Sequence, residues 1–236
     1  MMIDAHCHAH QAANELGPPE NQPQLAVINS TRENDWRAVL RFCQHNPQQR
    51  VASLGLHPWY LDEAKPDWLH SLGNLLEESD AAIGECGLDR SVGHRIPITR
   101  QRELLLAHLQ LAKEKNRIVS LHCVGAWGHL LDCLDQAGSL PRPFVLHSIS
   151  CPPELLSEFL SRGALCSVSY RTPDALIELI PDQYLVIETD YPAHNDTALS
   201  WAGQLQLQHD RLAAMAKRPL GEAALVAHLR SASGCQ

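Results

Sequence analysis

The feature that most constrains this chain is an alternation. A short apolar run is followed by a longer stretch, and the pattern recurs eight times. The candidate strands are residues 2–5, 26–30, 51–56, 81–84, 118–121, 144–146, 164–168 and 184–187. Several of the stretches between them have helical spacing. Residues 35–44 place Trp36, Val39, Leu40 and Cys43 on one helical face, and 102–115 do the same with Leu105, Leu109 and Ala112. Residues 153–161 and 173–180 each begin on Pro, where a missing N–H costs a helix least. Thr172 is the expected N-cap of the second, and Gly163 the expected stop of the first. Strands alternating with helices predict an α/β fold with a parallel sheet. A doubly wound sheet and a (β/α)8 TIM-type barrel both satisfy that pattern. The barrel is the expectation, with room for distortion and with C-terminal helices after the last strand. His6, His57, Glu85, His122, His147 and Asp190 each fall at or just beyond the end of a different run. Barrel enzymes build their active sites on that face.

Length agrees, since 236 residues suit one barrel, here expected as a single domain over 1–236. Gly17–Pro23 reads as a surface loop, and no repeat or long charge block interrupts the pattern. No run is long and apolar enough for a membrane span, and the start Met1-Met2-Ile3-Asp4 has neither the basic nor the apolar stretch of a secretory leader, so no leader and a cytoplasmic location are expected. Eight cysteines raise the question of disulfides. Cys7, Cys86 and Cys123 sit beside candidate ligands in strands, where neighbouring side chains face opposite ways, so buried free thiols are expected instead. The net charge of −8 argues against a protein that grips nucleic acid by electrostatics alone. It leaves room for an enzyme, because bound cations offset acidic groups locally.

The residues that carry chemistry are these. His6-Cys7-His8 puts two imidazoles on one strand face within reach of one cation, though two solvated histidines would have the same spacing. Asp4 is a candidate to orient one ring, or a turn residue. Gly55-Leu56-His57-Pro58 ends the third run; His57 is a candidate contact for a metal-bound substrate. In Ile83-Gly84-Glu85-Cys86-Gly87-Leu88-Asp89 the two glycines permit close backbone approach around a carboxylate able to bridge two metal ions. Asp89 is expected to brace the loop. Leu121-His122 and Leu146-His147 repeat one pattern in consecutive units, which favours a metal pair. Glu188-Thr189-Asp190 ends the last run: Asp190 is expected as ligand and proton acceptor, and Glu188 as support from below. His45, His70, His108, His129, His209 and His228 fall in helical stretches and read as solvated or packed; His10 and His194 lie near the rim.

Taken in order, Asp4-Ala5-His6-Cys7-His8, Gly55-Leu56-His57-Pro58, the Glu85 motif, Gln101 to Lys115 leading to Leu121-His122, Leu146-His147 and Glu188-Thr189-Asp190 resemble the TatD family of DNases over about residues 3–192. The resemblance implies a metal-dependent hydrolase barrel acting on DNA 3′ ends or other phosphodiesters. It implies one metal held by His6, His8, Glu85 and Asp190, a second held by Glu85, His122 and His147, and His57 near the substrate phosphate. Two positions depart from the family pattern. Cys123-Val124 stands where Ser-Arg is usual, and Ser148-Ile149-Ser150-Cys151 replaces a Cys-Phe-Thr-Gly-like run. The usual Asn-containing terminal helix motif is also absent.

Mixed His and carboxylate ligands suit Zn²⁺, Mn²⁺ or Mg²⁺, with two ions per chain expected. The expected reaction is attack of an activated water on phosphorus, with Asp190 taking its proton and Glu85 holding both ions. The missing arginine keeps a carboxylic ester or amide hydrolase open, including aminoacyl-tRNA deacylation. A metal-binding partner subunit with little turnover is the reading outside enzymes. The expected partner is a phosphodiester substrate, nucleic acid first.

Overall fold

The computed structural model describes residues 2–140, 142–192 and 199–232. Eight strands form one parallel sheet in sequence order: β1 (Ile3–Cys7), β2 (Leu25–Asn29), β3 (Arg50–Leu54), β4 (Ala82–Asp89), β5 (Val119–Val124), β6 (Phe144–Leu146), β7 (Ala164–Val168) and β8 (Leu185–Ile187). The sheet closes on itself beyond the strand ends. Asp190 N–H donates to the His6 carbonyl at 3.1 Å, and His8 N–H donates to the Tyr191 carbonyl. This is a TIM-type barrel, and all eight expected strands are present.

Helices cover the crossovers: α1 (Trp36–Gln44), α2 (Trp68–Glu77), α3 (Ile98–Lys115), α4 (Trp127–Ala137), α5 (Pro153–Ser161) and α6 (Asp174–Leu179), followed by α7 (Trp201–Ala214) and α8 (Gly221–Ala232). The first crossover has only short 3-10 turns at Ala9–Ala12 and Pro19–Asn21. The apolar faces read from spacing are buried: Trp36, Val39 and Cys43 on α1, and Leu105, Leu109 and Ala112 on α3. Thr172 does not cap α6 with its side chain. Its Oγ1 accepts from Ser169 N–H at 3.2 Å, holding the loop before the helix. Among the described residues no helix is long and apolar enough to cross a membrane. The seven described cysteines are buried and unbridged.

Two apolar layers follow from strand alternation. Residues facing outward, such as Ile28, Leu54, Ile83, Leu121 and Leu146, pack under the helices. Residues facing inward near the strand starts form a separate floor: Ile3, Ala5, Leu25, Val27, Ala82, Ile118, Val145, Leu165 and Val186. α8 covers that floor with Leu225, Val226 and Leu229. The lower end of the barrel is thus plugged, and chemistry is confined to the other end.

Two strands break strict alternation, and both do so at the site. Between Asp4 and Cys7, β1 has one residue more than the paired stretch from Ala26 to Ile28. Between Ile83 and Cys86, β4 has one more than Val119 to Leu121. Such bulges re-aim side chains. Ile3 and Ala5 belong to the inner floor, Cys7 to the outer layer, and His6 turns toward Glu85. Asp4 therefore orients no imidazole, contrary to one sequence expectation. Its carboxylate accepts from His6 N–H at 3.2 Å, Thr189 N–H at 3.1 Å, the Thr189 hydroxyl and Trp201 Nε1 at 2.7 Å, pinning β1 to the end of β8 and to α7.

Candidate metal centre

Glu85 is the hub. It lies inside β4 rather than at its end, because β4 runs on to Asp89 beside β5. The flanking glycines permit this. A Cβ on Gly87 (φ +153°) would lie 1.9 Å from the His122 carbonyl oxygen, and one on Gly84 (φ +140°) 2.7 Å from that of Ser120. Only glycine allows strands this close.

The two carboxylate oxygens of Glu85 divide the surrounding rings. Oε2 is 3.4 Å from His6 Nε2 and 3.4 Å from His8 Nε2, and His8 Nε2 is also 3.4 Å from Asp190 Oδ1. Oε1 faces His122 Nδ1 at 2.9 Å, His57 Nε2 at 3.4 Å and His147 Nε2 at 3.6 Å. All six residues picked from strand ends, with His8, therefore meet at one place. Three overlapping sets bring ligand atoms within 4.8 Å of one another: His6, Glu85 and His147; His6, His8 and Asp190; and His57, Glu85 and His122.

Polar contacts on the far side of each ring separate ligand-type histidines from the rest. His8 Nδ1 is 2.8 Å from the Asn29 carbonyl, an acceptor, so that nitrogen carries the proton and Nε2 offers a lone pair. His122 Nε2 is 3.0 Å from Asp89 Oδ2, which leaves Nδ1 free toward Glu85. His147 Nδ1 lies 2.9 Å from Glu188 Oε1, and His6 Nδ1 lies 2.9 Å from Ser120 Oγ. His57 is built the other way. Its Nδ1 accepts from the Trp59 backbone N–H at 3.1 Å, so the neutral ring carries its proton on Nε2. An Nε2–H can donate to a substrate oxygen but has no lone pair for a cation.

The residues present fit a metal. His6 Nε2 and His122 Nδ1 are buried without a hydrogen-bond partner, and both are aimed at Glu85. Lone pairs facing a buried carboxylate need positive charge between them. The titration tendencies agree. Burial would raise Glu85, but the surrounding His57, His147 and His6 hold it well below the usual carboxylate range. Burial pulls His147 down, yet Glu188 and Glu85 outweigh it and lift the ring to about 9. Burial pushes His57 down to about 4, so this ring stays neutral. Asp190 adopts φ +58°, a conformation uncommon outside glycine. That bend directs its carboxylate to His8, and its own N–H is tied to the His6 carbonyl.

Supports surround these groups. Asp89 also accepts from Trp59 Nε1 at 2.7 Å and Ser91 N–H at 2.8 Å. Buried Gln101 clamps the Asp89 backbone, accepting from its N–H at 2.7 Å and donating to its carbonyl at 2.9 Å. Asp89 thus holds a ring as well as bracing the loop. The histidines read as packed or solvated stay out of the centre; His108, for instance, is fully buried under Leu56, with Nδ1 2.7 Å from the Leu104 carbonyl. His10 lies 3.8 Å from Asp35 and packs edge-on to the His8 ring at 6.4 Å between centroids, and His194 lies outside the described residues.

A cavity of about 200 Å³ opens over the centre. Its walls include residues that motif reading missed: Gln11, Thr31, Trp59, Tyr60 and Arg171. Trp59 follows directly on His57-Pro58, and Arg171 follows the end of β7, a strand that contributed no candidate. Position relative to strand ends was the available signal for both.

A closed parallel barrel with histidines and carboxylates gathered at one mouth defines a metal-dependent hydrolase. Residues 3–224 match the family described as TatD related DNase, and the chain belongs to that family. It is 30% identical over 208 residues to YjjV of Escherichia coli K12, named as an uncharacterized metal-dependent hydrolase, covering 80% of this chain and 79% of that one. It is 30% identical over 182 residues to the 3′-5′ ssDNA/RNA exonuclease TatD of Dickeya dadantii, covering 71% of this chain and 66% of that one. The crystal structure of E. coli YjjV superposes with a TM-score of 0.73 at 26% identity, covering 100% of this chain and 91% of that one.

Proposed function

We propose that this chain is a two-metal phosphodiesterase that trims nucleic acid from an end. One observation carries the reading: Glu85 turns one oxygen to His6 and His8, and the other to His122 and His147. A carboxylate serving two cations would need one oxygen free for each. His6, His8, Glu85 and Asp190 would hold one ion, and Glu85, His122 and His147 the other. Divalent cations bound there supply an activated water and charge neutralisation at the phosphoryl group. Zn²⁺, Mn²⁺ and Mg²⁺ all suit mixed nitrogen and oxygen donors.

The chain's own groups do the rest. Asp190, buried beside His8 and held well below the usual carboxylate range by His8 and His147 against the effect of burial, is ionised and accepts the water's proton. His57 donates its Nε2–H to a phosphoryl oxygen. Glu188 and Asp89 hold His147 and His122 in the ligating orientation. Trp59, 45% exposed at the cavity wall with its indole N–H anchored on Asp89, offers a face on which a terminal base can stack. The 3′-5′ exonuclease activity named for the Dickeya relative supports nucleic acid as the substrate class.

Metal analysis of the purified protein, followed by assays in that metal, tests the reading. The panel contains a single-stranded oligonucleotide, a generic phosphodiester and an aminoacyl ester. Release of nucleotides from the oligonucleotide with about two ions per chain is the expected result. Turnover of the aminoacyl ester alone would replace this reading with a carboxylic ester hydrolase.

A further inference from the structure

We propose that Arg171 is a substrate-binding residue that holds a non-bridging oxygen of the phosphate being cleaved. This rests on the phosphodiesterase reading and adds the residue that selects for a phosphate.

The cavity is rich in negative charge. Glu85 and Asp190 line it, and Asp89 and Glu188 stand behind the rings. Among the described residues that line it, Arg171 is the only Lys or Arg. Its guanidinium is half exposed and donates from Nη1 to Asp190 Oδ2 at 2.9 Å. The other Asp190 oxygen faces His8. The cation thus stands at the rim, one carboxylate away from the ligand set, where the oxygens of a phosphate seated over the centre come within its reach. A guanidinium has five N–H donors in a planar fork, and this one spends a single bond on Asp190 and rests against the Tyr170 ring at 4.9 Å. The remaining donors point to a ligand with several acceptor oxygens, which a phosphate has and a carboxylic ester lacks.

The loop that presents Arg171 is held on every side. Arg171 N–H donates to Ser169 Oγ at 3.1 Å, and Ser169 Oγ lies 2.7 Å from Ser148 Oγ. From α7, Arg211 donates to the Ser169 carbonyl at 2.9 Å and to the Thr172 carbonyl, and pairs with Asp174. A half-exposed ion pair contributes little to folding, so stability alone does not explain this bracing. Preorganisation of a ligand-binding group does. The loop after β5 brings no such charge: that strand ends in Val124, which is 43% exposed.

Arg171→Met and Arg171→Lys, compared with the wild type in the metal-loaded protein, test the proposal. Metal content and thermal midpoint are expected to stay at wild-type values. KM for the oligonucleotide rises roughly ten- to a hundredfold in Arg171→Met, the usual loss for a charged hydrogen bond, with kcat less affected. Arg171→Lys recovers part of the loss, since it keeps charge without the fork. A methylphosphonate at the cleaved linkage, which lacks one charged oxygen, narrows the gap between wild type and Arg171→Met. Calorimetry with inorganic phosphate needs no turnover, and its affinity is expected to fall by the same factor. Arg171→Met with unchanged KM and unchanged phosphate affinity overturns the proposal, and so does loss of metal, which would make the arginine a support for Asp190. Arginine-dependent phosphate binding without cleavage of any phosphodiester overturns the phosphodiesterase reading and with it the role at a cleaved linkage, leaving only Arg171 as a phosphate-binding residue.

Discussion

The two ends of the barrel solve opposite problems with the same strands. At the floor, residues at or just before the starts of all eight strands contribute apolar side chains that cluster with Leu225, Val226 and Leu229 of α8. At the mouth, five of those strands and the loops after them contribute His6, Glu85, His122, His147 and Glu188, all buried, and the partly exposed His8 and Asp190. The floor is complete as protein. The mouth gathers rings and carboxylates whose donor atoms lie close enough together to hold a cation. A barrel can bear such a polar cluster at one end because the other end supplies packing, which is why function and stability separate along its axis.

That separation can be broken experimentally, first at its strongest point. Glu85→Ala removes the only carboxylate among the described residues shared by both ring sets, so bound metal is expected to be lost and turnover to fall more than about a thousandfold. Metal analysis with kinetics checks this; full metal and full turnover would sink the assignment. His57→Ala is expected to lower kcat/KM by about a hundredfold while metal content stays whole, because its Nε2 is a donor and not a ligand. Loss of metal in that variant would return His57 to the ligand set.

The floor should behave in reverse. Leu229→Ala opens a cavity under the strands and is expected to cost about 2–5 kcal/mol of stability by denaturant titration. Metal content and turnover per folded molecule should not change. The smallest effect concerns Glu222 on α8, a buried carboxyl that burial pushes up from 4.5 to about 8. The folded protein keeps this proton, while the unfolded chain gives it up above pH 4.5. Its contribution is therefore present in full below pH 4.5 and is lost as pH rises toward about 8. Glu222→Gln should match the wild type in thermal midpoint at the acid end and exceed it increasingly up to pH 8. A constant difference across that range would show that Glu222 does not titrate in it.

Much was legible in the chain itself, because apolar periodicity and β-strand alternation are local properties. Eight runs marked eight strands, and the residues at or beyond their ends marked the mouth. Two helices, α2 and α4, were marked only through His70 and His129 and without bounds, and β4 ran five residues beyond its expected end at Gly84, so that Glu85 sits within a strand. The geometry of the centre depended on more distant facts. Bulges in β1 and β4 are relations between strands, and they turned His6 inward while sending Asp4 to Thr189 and Trp201. Which nitrogen of each ring is free depends on partners far away in sequence, such as Asn29 for His8 and Asp89 for His122. Arg171 carries no motif, and its importance follows only from the loop that sets it beside Asp190. Residue types and their order thus announced a metal-binding barrel, since a side chain's chemistry and a strand's period travel with the sequence. The division of roles among those residues came from folding, since a proton or a lone pair is placed by whatever lies across from it in space.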